Sequence, residues 1–173
     1  MSLTGGKGRT FWGAAIAVVA LDVVTKLLVE RSLQLHVPKR VLGDVVRLTL
    51  AYNPGAAFSM TLGPASRWLF GALAVAALVV LWNLYRRAGA QEGAKVLALG
   101  LAWGGAAGNL IDRVRSAQGV VDFIDIGVRN IRFWTFNVAD SGVTVGAVML
   151  GVILMREDRE QQRQQQQQRP AGE

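Results

Sequence analysis

The sequence predicts an α-helical polytopic membrane protein with four transmembrane helices and a small extracytoplasmic β-sheet. Hydrophobic residues make up 51% of the 173 residues, more than one small soluble core normally uses. Four apolar stretches are each long enough to cross the roughly 30 Å hydrocarbon core of a bilayer. A segment between the first two stretches alternates apolar and polar residues, which is typical of a half-buried strand.

The four predicted spans form a single membrane domain, residues 1–155. The first span follows Lys7 and Arg9, and a charged segment before an apolar one is also typical of secretory signals. Because three more spans follow, we predict a retained first helix that serves as its own insertion signal. The predicted spans are 11–29, 67–85, 94–112 and 134–155, with extracytoplasmic segments at 30–66 and 113–133.

Two extended segments are predicted outside the spans. Apolar side chains at alternate positions from Val46 to Tyr52 have the period of a strand, and the Asn-Pro-Gly sequence that follows predicts a turn. A second extended segment, Val120–Ile126, lies between the third and fourth spans. We expect the two segments to pair as a small sheet on the membrane surface.

The sequence after Met155 differs from the rest of the chain. It is charged and contains a run of glutamines at residues 164–168. Such a segment has too little apolar surface to fold by itself. We therefore predict that residues 156–173 form a disordered cytoplasmic tail.

Composition restricts the partners and cofactors. The formal net charge is +7, but Lys and Arg lie mostly between or beside the spans, where they would meet lipid headgroups rather than nucleic acid. The chain has no cysteine and one histidine, His36, which excludes disulfides, a thiol nucleophile and histidine-rich metal sites. We expect no nucleic-acid partner, no metal and no other cofactor.

Alternating spans place certain polar residues at one face of the membrane. The ends of the first and third spans and the starts of the second and fourth must share that face. Ionisable residues at bilayer depth are rare and are functional candidates by default. We expect a shallow aqueous pocket lined by Asp22 and Lys26, by Asn109, Asp112 and Arg113, and by Asn137 and Asp140.

The distribution of basic residues suggests which face is cytoplasmic. The two sides carry similar numbers of Lys and Arg, so the count alone does not decide. Basic residues are densest in the short connection around Arg86 and Arg87 and in the tail. The positive-inside rule then places both termini in the cytoplasm and the polar cluster near the outer face.

Several of these residues also have purely structural interpretations. Asp22 and Lys26 are four residues apart, so they can pair on one helix face. Asp140 or Ser141 could cap the fourth helix, and Asp112 could pair with neighbouring arginines. The small residues of the third span predict close helix packing rather than a phosphate-binding loop.

Five short motifs follow one another along the chain. They are Asp22-Val-Val-Thr-Lys26, Asn53-Pro-Gly-Ala-Ala-Phe58, Gly108-Asn-Leu-Ile-Asp-Arg113, Val121-Asp-Phe123 and Phe136-Asn-Val-Ala-Asp-Ser141. Through these motifs, over about residues 11–155, the chain resembles signal peptidase II, the bacterial lipoprotein signal peptidase.

The resemblance implies a hydrolase of the bacterial cytoplasmic (inner) membrane, an aspartic endopeptidase with cytoplasmic termini. Its substrates would be prolipoproteins, cut just before a cysteine that carries diacylglycerol. The resemblance implies contact with membrane lipid and inhibition by globomycin, and we expect a monomer. By motif, the catalytic pair is Asp122 and Asp140, and the residues that bind substrate or support the site are Asp22, Lys26, Asn53, Asn109, Arg113 and Asn137.

Two aspartates in a poorly solvated site suit peptide hydrolysis. Like charges held close together cannot both ionise cheaply, so the pair shares a proton. The ionised aspartate would take a proton from the attacking water, while its protonated partner hydrogen-bonds the scissile carbonyl.

Two alternatives stay open at this point. Ser141 as nucleophile with Lys26 as base would be a different protease mechanism. A small membrane transporter or lipid-binding protein would use intramembrane carboxylates to carry protons or hold a headgroup. Only four spans are predicted and no inverted repeat is visible, which weakens the transport interpretation.

Overall fold

Four long helices dominate the computed structural model, which describes residues 3–55, 65–129 and 131–167. Within the described residues, each of these helices is long and apolar enough to cross a membrane. The predicted fold class is therefore confirmed. The helices are α1 (Leu3–Ser32), α2 (Ser66–Arg87), α3 (Gly93–Arg115) and α4 (Val138–Gln167).

Helix α3 is the centre of the bundle and packs against α1, α2 and α4. Its glycines permit the close approach, since a Cβ at Gly100 would lie 2.6 Å from the Phe11 carbonyl oxygen. A Cβ at Gly104 would lie 2.7 Å from the Ala15 carbonyl oxygen. The predicted helix-packing role of these small residues is confirmed.

The sheet is antiparallel, with strand order β1-β2-β3-β4. Its two longest strands correspond to the two predicted extended segments, and they pair with each other as expected. The strands are β1 (Lys39–Leu42), β2 (Val46–Asn53), β3 (Val120–Val128) and β4 (Ile131–Arg132).

Strand β2 contains a bulge beside Asp122. Leu48 is opposite Ile124, whereas Ala51 is opposite Asp122, so β2 has one residue more than β3 over this interval. Bulges bend a strand and redirect its side chains, and they are frequent next to active sites.

A small hydrophobic core joins the sheet to the helices. Val29 of α1 and Leu50 of β2 pack with Val121 and Phe123 of β3, and all four side chains are buried. This core fixes the sheet at one end of the helical bundle. Two of its members, Val121 and Phe123, are the sequence neighbours of Asp122.

The boundaries of the fourth helix differ from the prediction. The span was predicted over 134–155, but α4 begins at Val138 and continues to Gln167. The prediction of disorder is wrong for residues 156–167, because Gln, Glu and Arg have high helix propensity and extending an existing helix needs no new nucleus. Residues 168–173 lie outside the described residues, as do residues 56–58 of the second motif.

Candidate active site

The structure brings the predicted site residues together where α1, α3, α4 and the sheet meet. Asp122 lies on β3, and Asp140 lies in the first turn of α4. Asn109 is on α3 and hydrogen-bonds Asp140, whereas Asn53 ends β2 and hydrogen-bonds Asp122. Residues far apart in the sequence thus supply one polar cluster.

Asp122 is almost completely buried, with 4% of its surface exposed. Asn137 Nδ2 donates a hydrogen bond to Asp122 Oδ1 at 2.7 Å. Asn53 Nδ2 donates to Asp122 Oδ2 at 3.3 Å, and Asn53 Oδ1 accepts from the Gly55 backbone N–H at 3.0 Å. The Asn-Pro-Gly turn therefore also orients an amide toward this carboxyl group.

Asp140 is held by a capping box at the start of α4. The Asp140 N–H donates to Asn137 Oδ1 at 2.8 Å, and the Asn137 N–H donates to Asp140 Oδ2 at 3.2 Å. The other carboxyl oxygen, Oδ1, accepts from Asn109 Nδ2 at 2.7 Å. The interpretation of Asp140 or Ser141 as the cap is wrong, because Asn137 occupies that position.

Asn137 links the two aspartates. Its side chain is fully buried, and it contacts Asp122 through its amide nitrogen and the Asp140 backbone through its oxygen. The amide nitrogen also lies 3.2 Å from Asn109 Oδ1, which extends the link to the other residue that binds Asp140. Asn137 and Asn109 therefore connect the two aspartates through a continuous set of hydrogen bonds.

The electrostatic environment of Asp122 favours its protonated form. Burial, followed by the negative charge of Asp140, raises the pKa of Asp122 to about 7. Hydrogen bonds from Asn53 and Asn137 act in the opposite direction, but they are weaker than burial. The negative charge of Asp140 thus makes a second negative charge on Asp122 costly.

A buried ion cluster lies behind the aspartates. Lys26 Nζ is 2.7 Å from Asp22 Oδ2, which confirms the predicted pairing along α1. The same nitrogen is 2.7 Å from Asp112 Oδ2, and Arg115 Nε is 2.9 Å from Asp112 Oδ1. Asp112 therefore pairs with Lys26 and Arg115 rather than with its neighbour Arg113.

Arg113 presents a positive charge to the aspartates. Its half-buried guanidinium interacts electrostatically with Asp140 and Asp122. Nη1 donates to the Asn109 carbonyl at 3.0 Å, and Nε is buried with no hydrogen-bond partner among the described residues. The guanidinium as a whole is half-buried, and such a group can bind a carbonyl or phosphate oxygen.

Asp112 was expected in the pocket lining but not among the residues that bind substrate or support the site, and Gly108 was predicted only as a helix-packing residue. The structure places Asp112 in the buried ion cluster, paired with Lys26. Gly108 makes room for Asp22, because a Cβ there would lie 2.7 Å from Asp22 Oδ2. Only the packing of α1 against α3 reveals that second role.

The described residues contain no group of three or more His, Cys, Asp or Glu side chains arranged to hold a metal ion. What the site does contain is two linked carboxyl groups, amide donors and a nearby guanidinium. This arrangement can activate water and polarise a carbonyl group.

Comparisons with known proteins agree with this geometry. A family model described as signal peptidase (SPase) II matches residues 14–156. Lipoprotein signal peptidase from Pseudomonas putida is 40% identical over 161 residues, covering 91% of this chain and 94% of that protein. The Geobacter sulfurreducens protein of the same name is 36% identical over 154 residues, covering 88% and 96%.

The fold has a counterpart among solved structures. A bacterial membrane enzyme structure at 2.3 Å resolution superposes with a TM-score of 0.77 and 29% sequence identity, covering 87% of this chain and 90% of that one. The similarity therefore includes both the helices and the sheet.

Proposed function

Because the chain belongs to the signal peptidase II family, we propose that it removes the signal peptide from diacylglyceryl-modified prolipoproteins, cleaving before the lipidated cysteine. The observation that carries this proposal is the pair of carboxyl groups, Asp122 and Asp140, joined through Asn137. Peptide hydrolysis needs a base for water and an acid for the carbonyl oxygen. A carboxyl pair that shares one proton supplies both.

In the proposed mechanism the aspartates act as a singly protonated dyad. The ionised group takes a proton from water as the water attacks the scissile carbonyl carbon, and the protonated group hydrogen-bonds the carbonyl oxygen. The raised pKa of Asp122 supports this assignment of one proton to the pair. Asn109 and Asn137 orient the carboxyl groups through the hydrogen bonds described above.

Substrate binding combines the peptide and its lipid. The half-buried Arg113 guanidinium, which interacts electrostatically with both aspartates, would anchor a backbone carbonyl or a lipid headgroup. A diacylglyceryl chain held in the bilayer keeps the adjacent peptide bond near the interface, which reduces the entropic cost of reaching a shallow site. We expect a globomycin-type inhibitor to occupy the same aspartate site.

The proposed location is the bacterial inner membrane, with the enzyme acting as a monomer. Both termini would be cytoplasmic and the sheet extracytoplasmic, which puts the aspartates close to the outer face. The basic residues around Arg86 and Arg87, at the end of α2 opposite the sheet, support this orientation.

The contacts of Lys26 and Ser141 argue against the serine–lysine mechanism. Lys26 is 1% exposed and paired with two carboxylates, so it is poorly suited to act as a base. The Ser141 hydroxyl donates to the Asn137 carbonyl at 3.1 Å. No contact in the described residues favours the transporter or lipid-binding alternative over the peptidase.

Substitution of the two aspartates tests the proposal. Asp122→Asn and Asp140→Asn preserve side-chain shape but remove acid–base capacity, so each is expected to abolish cleavage of a purified diacylglyceryl-modified prolipoprotein in detergent. Ser141→Ala is the matched control and is expected to retain most activity. Near-normal cleavage by either folded aspartate variant would contradict the dyad, and loss of activity in Ser141→Ala would favour the serine mechanism.

A further inference from the structure

Two buried carboxylates each bind the backbone N–H of the residue that precedes one of the proposed catalytic aspartates in the sequence. Asp112 Oδ2 accepts a hydrogen bond from the Val121 N–H at 3.1 Å, and Val121 precedes Asp122. Asp22 Oδ1 accepts from the Ala139 N–H at 2.9 Å, one residue before Asp140. Each proposed catalytic aspartate therefore has a second carboxylate fixed to the preceding residue.

One side chain connects these two supports. Lys26 Nζ lies 2.7 Å from Asp22 Oδ2 and 2.7 Å from Asp112 Oδ2. It also donates to Asn109 Oδ1 at 3.2 Å, and Asn109 binds the Asp140 carboxyl group. The relative exposures of Lys26, Asp22 and Asp112 are 1%, 0% and 2%, so water screens this cluster weakly.

We propose that Lys26 is a positioning residue that sets the separation of Asp122 and Asp140. It does so by bridging Asp22 and Asp112, each of which holds the residue before one member of the pair. The inference rests on the proposed function, since it takes these two aspartates as the catalytic dyad. The contacts of Lys26 are with Asp22, Asp112 and Asn109, and its charge reaches Asp122 without a direct hydrogen bond.

The charge balance explains why a cation is needed at this position. Asp22 and Asp112 come from different helices, and without Lys26 their carboxylates would face each other in a poorly solvated interior. Removing one partner of a buried ion pair leaves an uncompensated charge, which is strongly unfavourable. Repulsion would move the two supports apart, and with them the backbone that carries the dyad.

The cluster is also closely packed around a compact ammonium group. Gly108 leaves room for Asp22, and the other oxygen of Asp112 is paired with Arg115. Arg115 also pairs with Glu30 at 3.1 Å, so Lys26 is the cation that lies between Asp22 and Asp112. An arginine in place of Lys26 would be a poor substitute, because its guanidinium is planar and larger than the ammonium point charge.

A positioning role has a kinetic signature that simple loss of stability lacks. Misplacing a catalytic group by about 1 Å can cost about 100-fold in rate. Substrate binding is expected to survive, because Arg113 and the membrane lipid are not part of the cluster. The expected result for Lys26→Met is therefore about a 100-fold fall in kcat with KM changed less than about threefold.

Lys95 offers a matched control at the opposite end of α3. Its Nζ lies 2.6 Å from Glu92 and 2.7 Å from Glu157, so it also bridges two carboxylates. It lies far from the dyad along the helix, and Lys95→Met is expected to keep kcat near the wild-type value. Both variants would be measured as folded, monodisperse protein with the lipidated prolipoprotein substrate.

A second substitution distinguishes charge repulsion from other roles of Lys26. In Lys26→Met/Asp22→Asn one negative charge is removed, while the asparagine oxygen can still accept from the Ala139 N–H. The double variant is expected to recover about tenfold in kcat over Lys26→Met, equivalent to about 1.4 kcal/mol of barrier. A base or substrate-binding role for Lys26 predicts no recovery.

The outcomes separate this inference from the proposed function. A wild-type kcat in Lys26→Met, or no recovery in the double variant, overturns the positioning role even if both dyad variants are inactive. Activity in folded Asp122→Asn or Asp140→Asn overturns the proposed function itself. If Lys26→Met does not fold, Asp22→Asn keeps the cluster's shape, and unchanged kcat in that variant overturns the inference.

Discussion

At the residue scale, the pKa of an aspartate is shifted in opposite directions at Asp122 on β3 and at Asp44 in the turn between β1 and β2. The Asp122 carboxyl group is buried beside Asp140, and burial raises its pKa to about 7. Asp44 is partly exposed, and hydrogen bonding to the Arg47 guanidinium lowers its pKa below the usual value. Environment rather than residue type therefore decides which aspartate is protonated near neutral pH.

Activity is expected to fall as the pH rises through about 7, because the dyad then loses its remaining proton and with it the acid. The hydrogen bond from Asn53 favours the charged form of Asp122 and lowers its pKa. Asn53→Ala should therefore move the alkaline limb of the kcat profile to higher pH. The measurement is kcat against pH over the range about 5 to 9 for both proteins.

Asp44→Asn is the control for this pH experiment, because Asp44 contacts neither member of the dyad. This variant should leave the alkaline limb of the kcat profile at the wild-type pH. A limb that moves to lower pH in Asn53→Ala would show that this hydrogen bond does not stabilise the ionised carboxyl group.

At the element scale, the glycines on one face of α3 decide how closely α1 approaches it. Gly104 faces the backbone of α1 at Ala15, and Gly108 faces the Asp22 carboxylate one turn further along. The ion cluster between α1 and α3 depends on this approach, because side chains of fixed length must meet across it. Helix packing and site geometry are thus set by the same glycines.

Gly104→Ala is expected to destabilise the protein. The new Cβ would lie 2.7 Å from the Ala15 carbonyl oxygen and 2.9 Å from the Ala15 Cα, and backbone atoms cannot yield as a flexible side chain can. Overpacking of this kind costs about 1–3 kcal/mol. The measurement is the thermal unfolding midpoint in detergent, which should fall.

Gly71→Ala on α2 is the matched control, because no atom lies within 4 Å of a Cβ built there. Its unfolding midpoint should stay near that of the wild type. Equal midpoints for the two variants would mean that the α1–α3 approach tolerates a methyl group.

At the scale of the whole molecule, the two ends of the bundle differ in structure. One end carries the sheet and the aspartates. At the other end, Lys7 Nζ donates to the Ala88 carbonyl beyond the last turn of α2, and Lys95 of α3 pairs with Glu157 of α4. These contacts join the helices at the end that we assign to the cytoplasm.

Single-cysteine labelling would establish the orientation, because the chain has no cysteine of its own. Arg40 on β1 has 75% of its side chain exposed, and Gln161 is exposed on the extension of α4. In intact spheroplasts a membrane-impermeant maleimide should label Arg40→Cys, whereas Gln161→Cys should react only after permeabilisation. The reverse pattern would place the aspartates at the cytoplasmic face.

Those parts of this protein that depend on local composition could be predicted from the order of its residues. Spans could be predicted because a bilayer requires about 20 apolar residues per helix. Alternation of those spans then placed Asp22 and Asp140 at the same face. The motifs added the expectation of an aspartate pair, and the strand period located the segment that carries Asp122.

The connections between those residues became visible only in the packed fold. Asn137 is both the cap of α4 and the link between the aspartates, and Lys26 bridges carboxylates from two helices. The bulge in β2 and the helical continuation beyond residue 155 were also not predicted. Hydrophobic patterning reports which face of an element is buried, whereas hydrogen bonds between distant segments depend on distances that exist only after the elements pack.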